Sequence, residues 1–253
     1  MDVKGHAAIV TGGGSGLGAE TARFLAKAGA KVTVLDLQAA TAEAVASEIG
    51  GLGLACDVGS AEAAEAAVAQ AKEAHGPVRV LVNCAGIAPA KRIVGRDGAM
   101  PLEAFEQVIR ANLIGSFNLL RLAAAEMLAE EPLDDGERGV IISTSSIAAN
   151  EGQIGQAAYA ASKAGVVGMT LPAAREFAKN GVRVLAIAPG LIGTPLLLNM
   201  PPEVQDSLAA QVPFPHRFGR PDEFARLVLH LVENVMINGE VVRLDGAMRM
   251  QAR

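Results

Sequence analysis

The chain contains no tryptophan, one tyrosine and two cysteines among 253 residues. Cys56 and Cys84 form no C-x-x-C motif and have no partners at the spacing of a zinc site. This scarcity excludes a disulfide-rich scaffold and favours a reducing, intracellular setting. The four histidines are scattered along the sequence, and none is paired with a second ligand at metal spacing, so we predict no metal site.

Basic tracts and long apolar runs are also missing. The net charge is −5, so nucleic-acid binding is not expected as the main role. No apolar run is long enough to span a bilayer, which predicts no membrane association. The opening residues, M-D-V-K-G, carry neither a secretory signal nor an Arg-rich transit peptide. These features predict a cytoplasmic protein; a mitochondrial matrix location would require that a presequence had been removed.

Apolar residues make up 51% of the chain, enough for a substantial core. Short apolar stretches alternate with helical patterns, and this alternation is typical of a parallel sheet covered by helices. We therefore predict one α/β domain over residues 1–253, a Rossmann-type, doubly wound parallel sheet of about seven strands with helices on both faces. The predicted strands are 7–10, 31–35, 52–56, 78–82, 139–144, 182–188 and 240–244.

A glycine-rich turn, T-G-G-G-S-G-L-G, joins the first predicted strand to a helix. Glycines let a backbone approach a pyrophosphate closely, and the helix N-terminus supplies amide donors. Asp36 lies 20 residues after Gly16, at the end of the second strand, where a carboxylate can accept hydrogen bonds from ribose hydroxyls. Since a carboxylate repels a 2′-phosphate and no basic residue stands nearby, NAD is favoured over NADP. The alternative is a structural turn with a capping aspartate.

Further polar residues follow predicted strands, where ligands gather in open parallel sheets. Asp57 could bond an adenine amino group, Asn83 ends the next strand, and Ala85-Gly86 could let a cofactor pass close to the backbone. Each of these could equally be a turn residue. Asn112 lies within a predicted helix at 102–130, either as a satisfied core amide or as an anchor beside an active site.

The only tyrosine, Tyr159, precedes Lys163 by four residues in a predicted helix, so the two side chains share one face. An ammonium beside a phenol favours the phenolate and is expected to lower the phenol pKa, which suits proton transfer with an alcohol. The alternative is a solvated helix face.

Pro172 should kink this helix. The proline-rich segment 191–220 is expected to cover a ligand, and 87–100 to form a rim or an insertion.

Taken together, these motifs occur in the order typical of one family and cover nearly the whole chain. The chain resembles the short-chain dehydrogenase/reductase family. The family's serine usually lies about a dozen residues before the tyrosine; Ser146, which lies 13 before Tyr159, is preferred over Ser145. The motifs that carry the resemblance are T-G-x3-G-x-G at 11–18, Asp57-Val58, N-C-A-G at 83–86, Asn112, Ser146, Tyr159-x3-Lys163, and Pro189-Gly190 with Thr194.

The resemblance implies a role for each residue. Tyr159 would exchange a proton with the alcohol, Lys163 would assist it and hold the nicotinamide ribose, and Ser146 would bond the substrate oxygen. Asn112 would hold a water in a proton relay. The implied cofactor contacts are Gly12, Ser15, Gly16, Leu17, Gly18, Asp36, Asp57, Val58, Asn83, Cys84, Ala85, Gly86, Tyr159, Lys163, Pro189, Ile192 and Thr194. The implied substrate contacts are Ser146, Gln153, Gln156 and Tyr159.

Within the family, four stretches resemble the branch of type II 3-hydroxyacyl-CoA dehydrogenases. They are E-G-Q-I-G-Q-A-A-Y, A-P-G-L-I-G-T-P-L-L, Q-V-P-F-P and N-G-E-V-V-R-L-D-G-A-M-R-M. This resemblance implies NAD-dependent oxidation of an L-3-hydroxyacyl-CoA to a 3-ketoacyl-CoA, in fatty acid or branched-chain acyl-CoA breakdown, by a homotetramer. The segment 91–101 is longer than in animal members of the branch, which leaves the exact substrate open.

Three alternatives stay open. The main substrate could be a steroid or a simple alcohol, which the shape of the 191–220 segment would decide. The enzyme could also run in reverse, as an acetoacetyl-CoA reductase. A non-enzymatic alternative, implied by animal members of the branch, is a structural subunit of an RNA-processing complex. The acidic net charge and the intact catalytic motifs argue against this last role as the main one.

Overall fold

A computed structural model describes residues 1–252, with the side chain at position 196 left aside. Its main sheet has seven strands, all paired in parallel, in the order β3-β2-β1-β4-β7-β8-β9. The strands are β1 Ala7–Thr11, β2 Lys31–Asp36, β3 Leu52–Ala55, β4 Val78–Asn83, β7 Gly139–Thr144, β8 Val182–Pro189 and β9 Val241–Leu244. A separate small hairpin pairs β5 Val94–Gly95 with β6 Gly98–Ala99. The predicted fold class is confirmed.

Helices connect the strands, and local chemistry sets several of their ends. The third begins where the Ser60 hydroxyl accepts a hydrogen bond from the Ala63 amide at 3.3 Å. The tenth begins at Pro221, and its Glu223 carboxylate accepts from the Arg220 amide at 2.7 Å. The helices are α1 Gly16–Lys27, α2 Ala39–Ile49, α3 Ala61–His75, α4 Leu102–Ile109, α5 Gly115–Ala129, α6 Ala148–Glu151, α7 Ala157–Ala178, α8 Pro195–Leu198, α9 Pro202–Ala209 and α10 Pro221–Glu233.

The core has two apolar layers because neighbouring strand residues point to opposite faces. Val10 faces a layer that contains residues of α1, α2 and α10, whereas Ile9 faces a layer that contains residues of α3, α5 and α7. Ile141 and Ile142 repeat this division on β7. Helices therefore cover both faces, and only the strand ends remain available for a ligand.

Three segments depart from the simple alternation predicted. The predicted helix at 102–130 is interrupted by a π-helical turn, Arg110–Ile114, between α4 and α5. The rim segment 87–100 contains the β5–β6 hairpin, and the 191–220 segment contains α8 and α9. Helix α7 continues past Pro172 to Ala178. None of the helices within residues 1–252 has both the length and the apolarity needed to cross a bilayer.

Candidate active site

The glycine-rich turn follows β1, next to the point where the sheet order reverses between β1 and β4. Gly12 and Gly16 adopt the left-handed region, with φ of +61° and +52°. A Cβ atom on Gly12 would lie 2.7 Å from the Ala85 nitrogen. The Thr11 hydroxyl accepts hydrogen bonds from the Cys84 and Ala85 amides at 3.1 Å each. The turn is therefore packed directly against the end of β4.

Helix α1 starts at this turn and directs its N-terminus into a cleft of about 450 Å³. Ser15 precedes the helix but its side chain forms no capping hydrogen bond, so the first amides of α1 are available to an anionic ligand. The residues that line the cleft are Gly12, Ser15, Gly16, Leu17, Gly18, Asp36, Leu37, Cys56, Asp57, Val58, Cys84, Ala85, Gly86, Ile87, Ala111, Thr194 and Pro195.

The cleft carries two carboxylates and no lysine or arginine among those lining residues. Asp36 accepts a hydrogen bond from the Gly14 amide at 3.0 Å and one from the Gln38 amide at 3.2 Å. Asp57 accepts from the Gly59 amide at 2.9 Å. Backbone bonds thus fix both carboxylates while each keeps lone pairs for a ligand. Asn83, by contrast, is buried, and its amide donates to the Ser116 carbonyl and the Ser143 hydroxyl behind the cleft.

A second cavity, of about 300 Å³, continues from the first. Leu17, Cys84, Gly86, Ile87 and Thr194 line both spaces, so a ligand in the cleft would reach the second cavity directly. The other residues that line the second cavity are Ala88, Thr144, Ser145, Ser146, Ile147, Ala148, Gln156, Tyr159, Lys163, Pro189, Gly190, Leu191, Ile192, Leu197 and Met250.

Lys163 lies one helical turn after Tyr159 on α7, and both side chains face this cavity. The lysine ammonium lies 5.9 Å from the centre of the tyrosine ring. It donates a hydrogen bond to the Thr144 carbonyl at 2.7 Å, and the residue is only 4% exposed. Burial lowers the pKa of Lys163 to about 8 because the apolar surroundings disfavour its charged form.

The pKa of Tyr159 differs from the sequence-based expectation. Burial raises this pKa, and a hydrogen bond with Ser146 opposes the rise only in part. The prediction that Lys163 lowers the phenol pKa is therefore wrong for this arrangement. Desolvation of the phenolate makes the largest contribution to this shift, and Lys163 is not among the groups that oppose it.

The three serines at the end of β7 have different partners. Ser143 accepts from the Asn83 amide at 3.3 Å, and Ser145 donates to the Lys163 carbonyl at 3.0 Å. Ser146 accepts from the Ala148 amide at 3.1 Å, and its hydroxyl proton is not used in that bond. Of the two serines considered for the substrate oxygen, Ser146 is the one whose hydroxyl interacts with Tyr159.

Asn112 lies in the π-helical turn and is fully buried. Its side-chain oxygen accepts from the Ile87 amide at 2.8 Å, and its nitrogen donates to the Ile87 carbonyl at 2.9 Å and to Ser162 at 3.0 Å. Three of the hydrogen bonds that the amide can form thus fix the loop after β4 to α7. These bonds favour an anchoring role, and π-helical turns are frequent at functional sites.

Of the remaining predicted residues, some line the cavity that contains Tyr159 and others do not. Pro189, Ile192, Thr194 and Gln156 line its cavity. Gln153 instead lines a neighbouring surface groove, where its side chain donates to the Gln251 carbonyl at 3.1 Å. Sequence reasoning missed Thr11, whose hydroxyl joins β1 to β4, and Met250, which reaches the cavity from the end of the chain. Met250 gave no signal because the fold alone brings it there.

Comparison with protein-family models shows that the residues of both spaces belong to one known family. The model of the short chain dehydrogenase family matches residues 6–204, which include the glycine-rich turn, Ser146, Tyr159 and Lys163. The chain belongs to the short chain dehydrogenase family. As a family member it is an oxidoreductase that acts on CH–OH groups of a small-molecule substrate, and a nicotinamide cofactor is implied.

Individual members of this family are similar over nearly the whole chain. The 3-hydroxyacyl-CoA dehydrogenase type-2 of Bos taurus is 53% identical, over 98% of this chain and 97% of its own length. The Homo sapiens protein of the same name is 52% identical with the same coverage. The crystal structure of 3-hydroxyacyl-CoA dehydrogenase type-2 from Mycobacterium avium superposes with a TM-score of 0.94, at 44% identity and 98% coverage of both chains.

Proposed function

We propose that this short chain dehydrogenase oxidises L-3-hydroxyacyl-CoA to 3-ketoacyl-CoA with NAD, in fatty acid or branched-chain acyl-CoA breakdown. The observation that carries the proposal is the continuity of two spaces. The cleft at the glycine-rich turn leads directly into the cavity that contains Ser146, Tyr159 and Lys163. The identity of about half of all residues to proteins named 3-hydroxyacyl-CoA dehydrogenase type-2 supports the substrate class.

The residues of the cleft fit a dinucleotide. Gly16 adopts a positive φ and lines the cleft, and the first amides of α1 suit a pyrophosphate. Asp36 would hold the adenosine ribose, Asp57 and Val58 the adenine, and Ile192 and Thr194 the carboxamide end. When bound, the nicotinamide cofactor would supply the hydride-transfer chemistry.

The residues of the cavity would handle the proton and the oxygen. The Tyr159 phenolate would accept the hydroxyl proton of the substrate. Ser146 would donate its hydroxyl proton to the same oxygen and stabilise the charge that develops there. Lys163, fixed by the Thr144 carbonyl, would bond the nicotinamide ribose. Asn112 would hold the loop after β4 in place beside them.

Coenzyme preference is expected to depend on Asp36. Asp36→Ala should weaken NAD binding by about tenfold and leave NADP binding unchanged or improved, because a ribose partner and a repulsive charge are removed together. Calorimetric titration with both coenzymes measures the effect. Asp57→Ala is the matched control, since an adenine contact should weaken both coenzymes equally. An unchanged preference in Asp36→Ala would show that selectivity lies elsewhere.

The direction of the reaction should depend on pH. Because burial raises the pKa of Tyr159, the phenol is protonated at neutral pH and suited to donate a proton. The kcat/KM for alcohol oxidation should therefore rise with pH through the alkaline range, while that for ketone reduction should fall. Lys163, with a pKa of about 8, also loses its charge in alkaline solution, so the profiles contain its titration as well. An oxidation rate that does not change with pH above neutral would contradict this expectation.

The substrate class is tested by following NADH with purified enzyme. We expect 3-hydroxybutyryl-CoA oxidation, and acetoacetyl-CoA reduction with NADH, to exceed turnover of a steroid alcohol. Efficient acetoacetyl-CoA reduction with NADPH but not NADH would favour the acetoacetyl-CoA reductase alternative. A preference for the steroid would favour a steroid or alcohol dehydrogenase. Co-purification of RNA-processing proteins with a catalytically inactive variant would support the structural role.

We also propose that the protein is a homotetramer. Three large apolar side chains on the outer surfaces of the π-helical turn, α5 and α7 are exposed, namely Ile114, Phe117 and Leu171. Covering such side chains with a second copy of the chain lowers the free energy, because apolar surface is removed from water. Light scattering of the full chain measures the assembly. The cytoplasmic location stays a prediction, which subcellular fractionation tests.

A further inference from the structure

The last residues after β9 fold back over the segment that follows the catalytic serine. Met248 is only 2% exposed and packs with Ile147 and Val212 in a small apolar cluster of its own. Farther along, the Ala252 carbonyl accepts a hydrogen bond from the Ile154 amide at 3.1 Å. We refer to residues 247–252 as the C-terminal strap.

Glu151, the last residue of α6, fixes the strap. One carboxylate oxygen accepts from Arg243 at 2.9 Å, and the other accepts from the Met250 amide at 3.0 Å. Arg243 also donates to the Met248 carbonyl at 3.0 Å and pairs with Asp245 at 2.6 Å. This partly buried network joins α6, the end of β9 and the strap, and charge-assisted bonds of this kind are the stronger ones.

The network is linked to the reacting groups through α6. This helix begins at Ala148, whose amide donates to the Ser146 hydroxyl at 3.1 Å. The strap in turn brings Met250 to the cavity that contains Tyr159 and Ser146. The cavity is apolar around Met250, with Ile147, Leu191 and Leu197 among its lining residues. A flexible thioether in such a place fills the space that a longer apolar chain would need.

We infer that Met250 determines substrate length by forming one wall of the cavity, and that Glu151 acts as the positioning residue that holds this wall. The inference rests on the proposed function for the identity of the acyl chain. The position of Met250 as a wall of the cavity would limit the length of any alcohol that reaches Tyr159. The ligand class at the Met250 wall is an aliphatic chain attached to the carbinol carbon, because the surrounding side chains are apolar.

Met250→Ala tests the wall with a series of 3-hydroxyacyl-CoA thioesters from butyryl to decanoyl. We expect the ratio of kcat/KM for the longest to the shortest substrate to rise about tenfold, since apolar pockets discriminate modestly per methylene. Met250→Leu, which keeps most of the volume, should retain most of the wild-type discrimination. Met236→Ala removes a methionine that is 89% exposed, and it controls for the loss of a thioether elsewhere.

Glu151→Gln tests the positioning residue by two measurements. Hydrogen exchange at the Met250 amide should accelerate, and the length profile should shift in the same direction as in Met250→Ala, by a smaller factor. Glu62→Gln, an exposed site on α3, is the control. Faster exchange without any change in the length profile would show that Glu151 stabilises the strap without setting specificity.

The outcomes separate this inference from the proposed function. If the wild type oxidises the thioesters and Met250→Ala leaves the length profile unchanged, the inference is wrong and the proposed function stands. If the wild type oxidises no thioester, the proposed function is wrong. The same comparison is then made with secondary aliphatic alcohols of graded length, where an unchanged profile would overturn the inference as well.

Discussion

Tyr159→Phe is expected to lower turnover in alcohol oxidation by roughly a thousandfold, within the range that a positioned acid or base contributes. Phenylalanine keeps the ring but removes the hydroxyl that is proposed to exchange a proton with the substrate. The cavity wall should persist because α7 and its contacts are unchanged. A stopped assay with excess enzyme, read against the wild type at the same coenzyme concentration, measures the loss.

NAD binding gives the control for this variant. Calorimetric titration should return a dissociation constant within a few-fold of the wild type, because the cleft lined by Gly12, Asp36 and Asp57 is not altered. Loss of turnover with retained binding assigns the defect to the chemical step. Turnover close to the wild type would contradict the role of Tyr159 and, with it, the mechanism.

Lys163→Met is expected to change activity and stability in opposite directions. Turnover should fall about a hundredfold, because the methionine keeps the length of the side chain but removes the charge and the ribose contact. At neutral pH the free energy of unfolding should rise by about 2 kcal/mol, since a buried cation is replaced by an apolar side chain of similar volume. Chemical unfolding of both proteins under identical buffers measures the difference.

The stability gain should disappear at high pH. Folding lowers the pKa of Lys163 from 10.5 to about 8, which costs about 3 kcal/mol while the lysine is charged. Between these pKa values the unfolded chain binds more protons, so the free energy of unfolding of the wild type rises with pH. Near pH 10.5 the buried lysine is uncharged, so the cost of burying its charge is gone. The variant then differs from the wild type only because it lacks the hydrogen bond to the Thr144 carbonyl. A difference that is constant with pH would contradict this explanation.

Much of the fold could be predicted from the sequence because its signals are local. The strands are short apolar runs that end in glycine or polar residues, and parallel pairing places those ends together. The pairing of β1 with β2 and β4 therefore brought the glycine-rich turn, Asp36 and Asn83 to one edge. The four-residue spacing of Tyr159 and Lys163 likewise sufficed to put them on one face of α7.

Other features depend on packing between distant segments and had no local signal. The π-helical turn arises in a stretch that reads as one helix, where Asn112 satisfies its amide against the Ile87 backbone. The sign of the Tyr159 pKa shift depends on how deeply the cavity is closed, which residue spacing does not encode. The position of Met250 depends on an ion pair between Arg243 and Glu151, which are 92 residues apart.

The lone tyrosine gives the enzyme an unusual optical property. With no tryptophan in the chain, Tyr159 carries the only phenol and is the main near-ultraviolet chromophore. The appearance of its phenolate absorption band on raising pH would therefore report one site, in the cavity, without background from the rest of the protein. The protonation state of the proposed base can thus be observed directly in solution, in the unlabelled wild-type enzyme and during titration with substrate analogues.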